Sequence, residues 1–200
     1  MIVAKVKTGL VALAVPVVLA GCISFGAEPP PSLLTLQSTA QPQPGAGQTS
    51  ARARSIVIQV PSTPASLATA RVPVQASATS IAYVKDAQWA EPPARLFARL
   101  LSDTLTASAN MVVLSPAQSF SDPSANLSGE LRSFGLDAGT REAVVIFDGS
   151  LTRAGQTTVE KRRFEARVPV AAIDATSTGP ALSQAANQVA GEVATWVGGG

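Results

Sequence analysis

The sequence predicts an α+β fold, an antiparallel-rich mixed sheet with two helices packed on one face. Three longer strand candidates (126–137, 142–152 and 157–170) follow one another through short glycine-containing joints, the pattern of a hairpin-linked meander. Two other segments carry their apolar residues at helical spacing, one after Glu91-Pro92-Pro93 and one over 178–197. Hydrophobic residues make up 46% of the 200 and charged residues 14%, enough apolar surface to offset chain entropy in one domain. Strand runs with helices outside them call for a layered design.

Taken in order, Ser32-Leu33-Leu34-Thr35-Leu36-Gln37 is a short strand candidate. Residues 38–54 are Gln, Pro, Gly, Ser, Thr and Ala with two arginines, and are expected as a long mobile loop. Ser55–Val60 is a β-branched strand ended by Pro61, and Pro64, Leu67 and Ala70 lie in a short link. Strands are expected at 71–75 and 79–84; Pro73 puts the first at an edge or a bend, because proline donates nothing to a ladder.

Pro92 and Pro93 open the first helix, where the missing N–H is not needed. Leu96, Phe97, Leu100, Leu101 and Leu105 form its apolar face, with Arg95, Arg99 and Asp103 opposite and Arg99–Asp103 as an i,i+4 pair. The helix stops at Ser108-Ala109-Asn110, and Met111–Leu114 is a strand. In the meander, Ala143, Val145, Phe147 and Leu151 share one face while Val144 and Ile146 share the other, which places this strand centrally. Glu160-Lys161-Arg162-Arg163 suits a solvent-facing edge. The joints 137–140 and 153–156 each place a glycine where a tight turn needs positive φ. In the last helix Thr178 is the expected cap, Pro180 sits in the first turn, and Leu182, Ala185, Ala186, Val189, Val193, Trp196 and Val197 make the stripe.

Ahead of this domain Lys5 and Lys7 precede an apolar run, Gly9–Ala20, which ends at Leu19-Ala20-Gly21-Cys22. That layout is a secretion signal, and its last four residues resemble a bacterial lipobox. About 12 apolar residues at ~1.5 Å each are too short for a ~30 Å hydrocarbon core. The resemblance implies cleavage between Gly21 and Cys22 and acylation of Cys22, with chains of the palmitate kind. The expected organisation is a signal peptide over 1–21, the lipidated cysteine and a Pro-rich tether over 22–32, and one domain over 33–200. Removing Lys5 and Lys7 lowers the basic count from 15 to 13, equal to the 13 acidic residues. No basic excess then points to nucleic acid.

The chain contains no histidine, and its one cysteine is the acylation candidate. The commonest general base, metal ligand and triad partner are therefore missing. There is no Gly-x-Ser-x-Gly elbow and no phosphate-binding glycine loop, and the carboxylates are scattered singly. These observations predict a non-enzyme with no cofactor and no metal.

Tyr83-Val84-Lys85-Asp86-Ala87-Gln88-Trp89-Ala90-Glu91-Pro92-Pro93, running into the helix, is more specific than composition. Together with the lipobox, Leu33–Leu36 and Trp196, it resembles the ABC-type transport auxiliary lipoprotein family, that of the paraquat-inducible C lipoprotein. The resemblance implies a non-catalytic subunit anchored to the periplasmic face of the outer membrane. Its partners would be an MCE-domain protein and an ABC permease and ATPase that move lipid. Ile23 rather than Asp after Cys22 fits outer-membrane sorting, and relatives suggest a ring-like homo-oligomer. Tyr83, Trp89, Pro92 and Pro93 are the candidate partner-facing or structural motif. Two other readings fit the same residues: an envelope lipoprotein with a structural or regulatory role in another assembly, and a periplasmic lipid carrier.

Overall fold

The computed structural model describes residues 32–42, 45, 47–49, 51, 53–115, 118 and 123–199. The expected processing point at Gly21 and Cys22 and the tether up to residue 31 lie outside them. The elements are β1 (Ser55–Ile58), a 3₁₀ turn (Ala65–Leu67), β2 (Arg71–Ser77), β3 (Ser80–Gln88), α1 (Pro93–Ser108), β4 (Val112–Leu114), β5 (Ala125–Asp137), β6 (Glu142–Arg153), β7 (Val159–Pro169) and α2 (Ala175–Gly198).

The sheet is mixed and has seven strands, with β5 as its hub. One edge of β5 pairs antiparallel with β6, which pairs antiparallel with β7. The other edge takes two parallel partners end to end. Here β1 lies beside the start (Ile56 on Ala125, Ile58 on Leu127) and β2 beside the finish (Val74 on Leu136, Gln75 on Asp137). Between them the Ser62 carbonyl accepts from the Leu131 N–H at 2.9 Å, so the link continues along the same edge. The outer neighbours are β4, parallel to β1, and β3, antiparallel to β2. The predicted central strand is β6, whose Ala143, Val145, Phe147 and Leu151 are all buried. The predicted charged edge is β7, with exposed charges alternating with buried Phe164, Ala166 and Val168.

Both helices cover one face. Six aromatic rings line up between helices and sheet in the order Trp89, Phe134, Phe97, Phe147, Phe164, Trp196, with successive centroids 5.3–6.4 Å apart. Four of these five contacts are edge-on or tilted, the geometry that ring quadrupoles favour. The alanines of α2 (Ala181, Ala185, Ala186, Ala190, Ala194) are buried, so its backbone approaches the layer beneath closely.

Several local expectations differ from the structure. Within 32–37 only Leu34 forms a bridge. Its N–H donates to the Gln88 carbonyl at 2.7 Å and its carbonyl accepts from Ala90 at 2.9 Å. The cap of α2 is Asp174, whose carboxylate accepts from the Ser177 N–H at 2.7 Å. Thr178 is buried instead and donates its hydroxyl to the Asp174 carbonyl. Arg99 reaches back to Glu91 at 2.6 Å rather than forward to Asp103. In the β5–β6 turn the left-handed residue is Arg141 (φ 57°), not Gly139. There the Asp137 carboxylate accepts from Gly139 and Thr140 N–H groups, which fixes an Asx-type turn one residue earlier. In the β6–β7 turn Gly155 takes φ 75° as expected. Pro73 marks a bend, not an edge: β2 lies between β3 and β5, and its register with β3 shifts between Arg71 and Pro73.

Candidate partner-facing site

The Tyr83–Pro93 segment begins on β3 and ends at the start of α1. Residues 84–87 bulge away from β2, because Tyr83 pairs with Pro73 whereas Gln88 pairs with Arg71. Asp86 absorbs the excess chain in a left-handed conformation (φ 56°), which Asp tolerates better than most residues. The bulge separates the two aromatic residues. Tyr83 is half-buried, and the Arg71 guanidinium stacks 3.8 Å from its ring centroid. Trp89 is 1% exposed and packs edge-on against Phe134 at 5.4 Å.

The Trp89 backbone is fixed twice, by its N–H on the Ala70 carbonyl at 2.7 Å and by the parallel bridge to Leu34. Its indole Nε1 is buried with no hydrogen-bond partner among the described residues. A group of this kind costs about 1–3 kcal/mol in lost hydration. Pro92 is the N-cap of α1 in extended conformation (φ −51°, ψ 137°), and Pro93 is buried as the first helical residue. Trp89 thus anchors a corner, the prolines turn it into α1, and Tyr83 stands on the sheet edge. The four residues do not form one surface.

Helix α1 and helix α2 are also strapped from outside. Ser38 is buried, and its hydroxyl shares a 3.1 Å hydrogen bond with Thr104 on α1. Asn187 on α2 uses both ends of its amide. Its oxygen accepts from the Thr39 N–H at 2.9 Å and hydroxyl at 3.1 Å, and its nitrogen donates to the Gln37 carbonyl at 3.0 Å. Farther along, Arg54 donates to the Gly198 carbonyl at 2.7 Å. The start of the 38–54 stretch, irregular in its described residues, is therefore tied across both helices. Sequence reasoning missed this strap because its polar residues look the same in a loose loop. The only signal was a single Asn in an Ala-rich helix.

The open face of the sheet carries paired charges. Arg163 makes a two-pronged contact with Asp148, both bonds 2.7 Å, and Arg132 stands 3.6 Å from Asp148 and from Glu130. The hydrogen bonds from Arg163 hold the Asp148 carboxyl below its usual range. Arg167 bonds Glu165 at 2.7 Å and lies 3.4 Å from Glu142, and the Glu165 bond raises its already high value further. A shallow depression of about 640 Å³ opens here, lined in part by Gly129, Gly149, Lys161 and Arg162. On α1, burial pushes the Asp103 carboxyl up against the opposing pull of Arg99. Among the described residues no cluster of three or more Cys, Asp or Glu is placed to hold a metal. No described helix is long and apolar enough to cross a membrane.

Comparison with known proteins adds to this geometry. The family model of the ABC-type transport auxiliary lipoprotein component matches residues 34–194, which begins at the Leu34 bridge and ends in α2. Protein XCC0632 from Xanthomonas campestris, solved by crystallography, superposes with a TM-score of 0.69 at 19% identity, covering 83% of this chain and 94% of that one. A second crystal structure, of an uncharacterized protein, gives 0.62 at 20% identity, covering 72% and 92%. At such identities the likeness concerns the fold. Among curated protein sequences, none matches this chain.

Proposed function

Because the chain belongs to the ABC-type transport auxiliary lipoprotein family, we propose that it is the lipid-anchored, non-catalytic subunit of an MCE-type lipid-transport system. Acylated at Cys22, it sits on the periplasmic face of the outer membrane and docks the MCE assembly there. The observation that carries this reading is the family match across the whole folded unit, joined to the Leu19-Ala20-Gly21-Cys22 segment at the end of an export signal. The missing histidine and the singly scattered carboxylates favour a partner-binding role over catalysis. Any energy for transport comes from the ATPase partner.

The carrier alternative is less well supported. A lipid enclosed between helices and sheet would have to occupy the space now filled by Phe97, Phe134, Phe147 and Phe164, each no more than 1% exposed. Affinity purification of the lipidated protein from membranes tests the proposal. Recovery of an MCE-domain protein with its permease and ATPase is expected. Recovery only of cell-wall synthases or an outer-membrane barrel would reject it and favour the envelope-assembly reading.

A further inference from the structure

The described chain enters the domain at the end where α2 begins. Leu34 lies against Gly179, so close that a β-carbon there would stand 2.9 Å from Leu34 Cδ2. From this point the chain runs to Thr39 on Asn187, about 12 Å farther along α2 at ~1.5 Å per residue. Leu33 therefore lies toward the N-terminal side of α2.

The same end of the molecule carries three turns. In register with the end of β5, β2 runs on past it into the β2–β3 turn. The β5–β6 turn and the segment before α2 are joined there, since Arg141 accepts from the Val170 N–H at 2.9 Å and donates to the Ala171 carbonyl at 2.6 Å. Three of the five large apolar side chains that are exposed among the described residues belong to this end: Leu33 (52%), Ile81 (49%) and Ile173 (39%). Val159, at the β6–β7 turn, marks the opposite end. Gln75–Ala82, the projecting β2–β3 arm, is exposed throughout and contains no charged residue.

Scattered exposed apolar residues are ordinary. Here they coincide with the point where an anchored chain would arrive. Twelve residues from Cys22 to Leu34 reach at most about 40 Å when extended. The strap on Thr104 and Asn187 prevents that reach from lengthening by peeling of the next residues. The charges at this end, Asp137, Arg141, Glu142, Glu165, Arg167 and Asp174, are of mixed sign, and Arg167 is paired with Glu142 and Glu165, so they form no basic cluster for anionic headgroups.

We propose that the end of the domain bearing Leu33, Ile81 and Ile173 rests in the interfacial layer of the bilayer. This reading builds on acylation of Cys22, and it leaves the β6–β7 turn and the C-terminus of α2 facing away from the membrane. Apolar side chains at the headgroup–acyl boundary add to an acyl anchor and fix how the anchored body stands.

The test uses the lipidated full chain in vesicles of phosphatidylethanolamine and phosphatidylglycerol. With Cys22 acylated, Ile173→Cys, Ile81→Cys and Val159→Cys each supply a single thiol for an environment-sensitive fluorophore. Labels at 173 and 81 are expected to be quenched several-fold more by headgroup-proximal spin-labelled lipid than the label at 159. Co-flotation with equal quenching at all three sites, or stronger quenching at 159, would overturn the orientation while leaving the anchor intact. Failure of the chain to float with vesicles would overturn the anchor and the orientation together. Shielding of 173 and 81 only after an MCE-domain protein is added would assign this end to a protein partner and reject the membrane contact.

Discussion

Gly129 on β5 sits opposite Gly149 on β6, and a β-carbon at Gly129 would lie 2.3 Å from the Asp148 carbonyl oxygen and 2.7 Å from Phe147 Cε2. Backbone cannot swing aside as a flexible side chain does, so Gly129→Ala forces the β5–β6 pairing apart at Asp148 and also presses on the Phe147 ring. A loss of about 1–3 kcal/mol is expected, as for other overpacked cores. Denaturant unfolding reads it, and an unchanged midpoint would contradict the packing. Asp174 offers a pH test. The Ser177 backbone N–H and then its hydroxyl lower the Asp174 carboxyl below the ordinary range, so its stabilising effect is complete above the unfolded-state value. The effect is lost as pH falls through the lower folded-state value. Asp174→Ala should therefore melt below the wild type at pH 7, and the gap should narrow below about pH 4. A gap that stays constant down to acid unfolding would refute the assignment.

At the scale of elements, the strap makes the clearest prediction. Asn187→Ala removes the anchor for Gln37 and Thr39 but leaves the apolar stripe of α2 intact. The expected result is a small stability loss, about 1 kcal/mol, with much faster amide exchange at Thr39 and earlier proteolysis in 38–54. Unchanged exchange at Thr39 would show that Ser38 on Thr104 holds the strap alone. The β5–β6–β7 meander and α1 were readable in the sequence because their contacts are local and their periodicity is strong. The sharing of one β5 edge by β1 and β2 was not, since parallel partners carry no turn signal to pair them. Leu34 looked like part of a strand because the apolar pattern cannot tell a single bridge from a ladder. Of the candidate site, Pro92 and Pro93 declared their helix-start role, whereas the split between Tyr83 and Trp89 depends on a bulge at Asp86 that no periodicity marks.

For the whole molecule, Cys22→Ser tests the proposed anchor apart from the fold. Position 22 lies ahead of the family-matched unit, residues 34–194, so the variant should keep the melting temperature of the domain and move from the membrane to the soluble fraction. Membrane retention of this variant would contradict acylation at Cys22. The way β1 and β2 abut on one edge of β5 also bears on how the chain reaches its native state. Ile56 meets Ala125 and Val74 meets Leu136, pairs separated by some sixty to seventy residues of intervening chain, whereas β5, β6 and β7 meet through short turns. Closing the long loops costs entropy before any contact repays it, so the meander forms first and the earlier-synthesised strands wait for it. Core truncations in β5–β7, such as Val145→Ala, should then slow refolding, while Ile56→Val should chiefly speed unfolding. A chain exported N-terminus first would thus have nothing to fold onto until most of it had crossed, which keeps it extended through translocation.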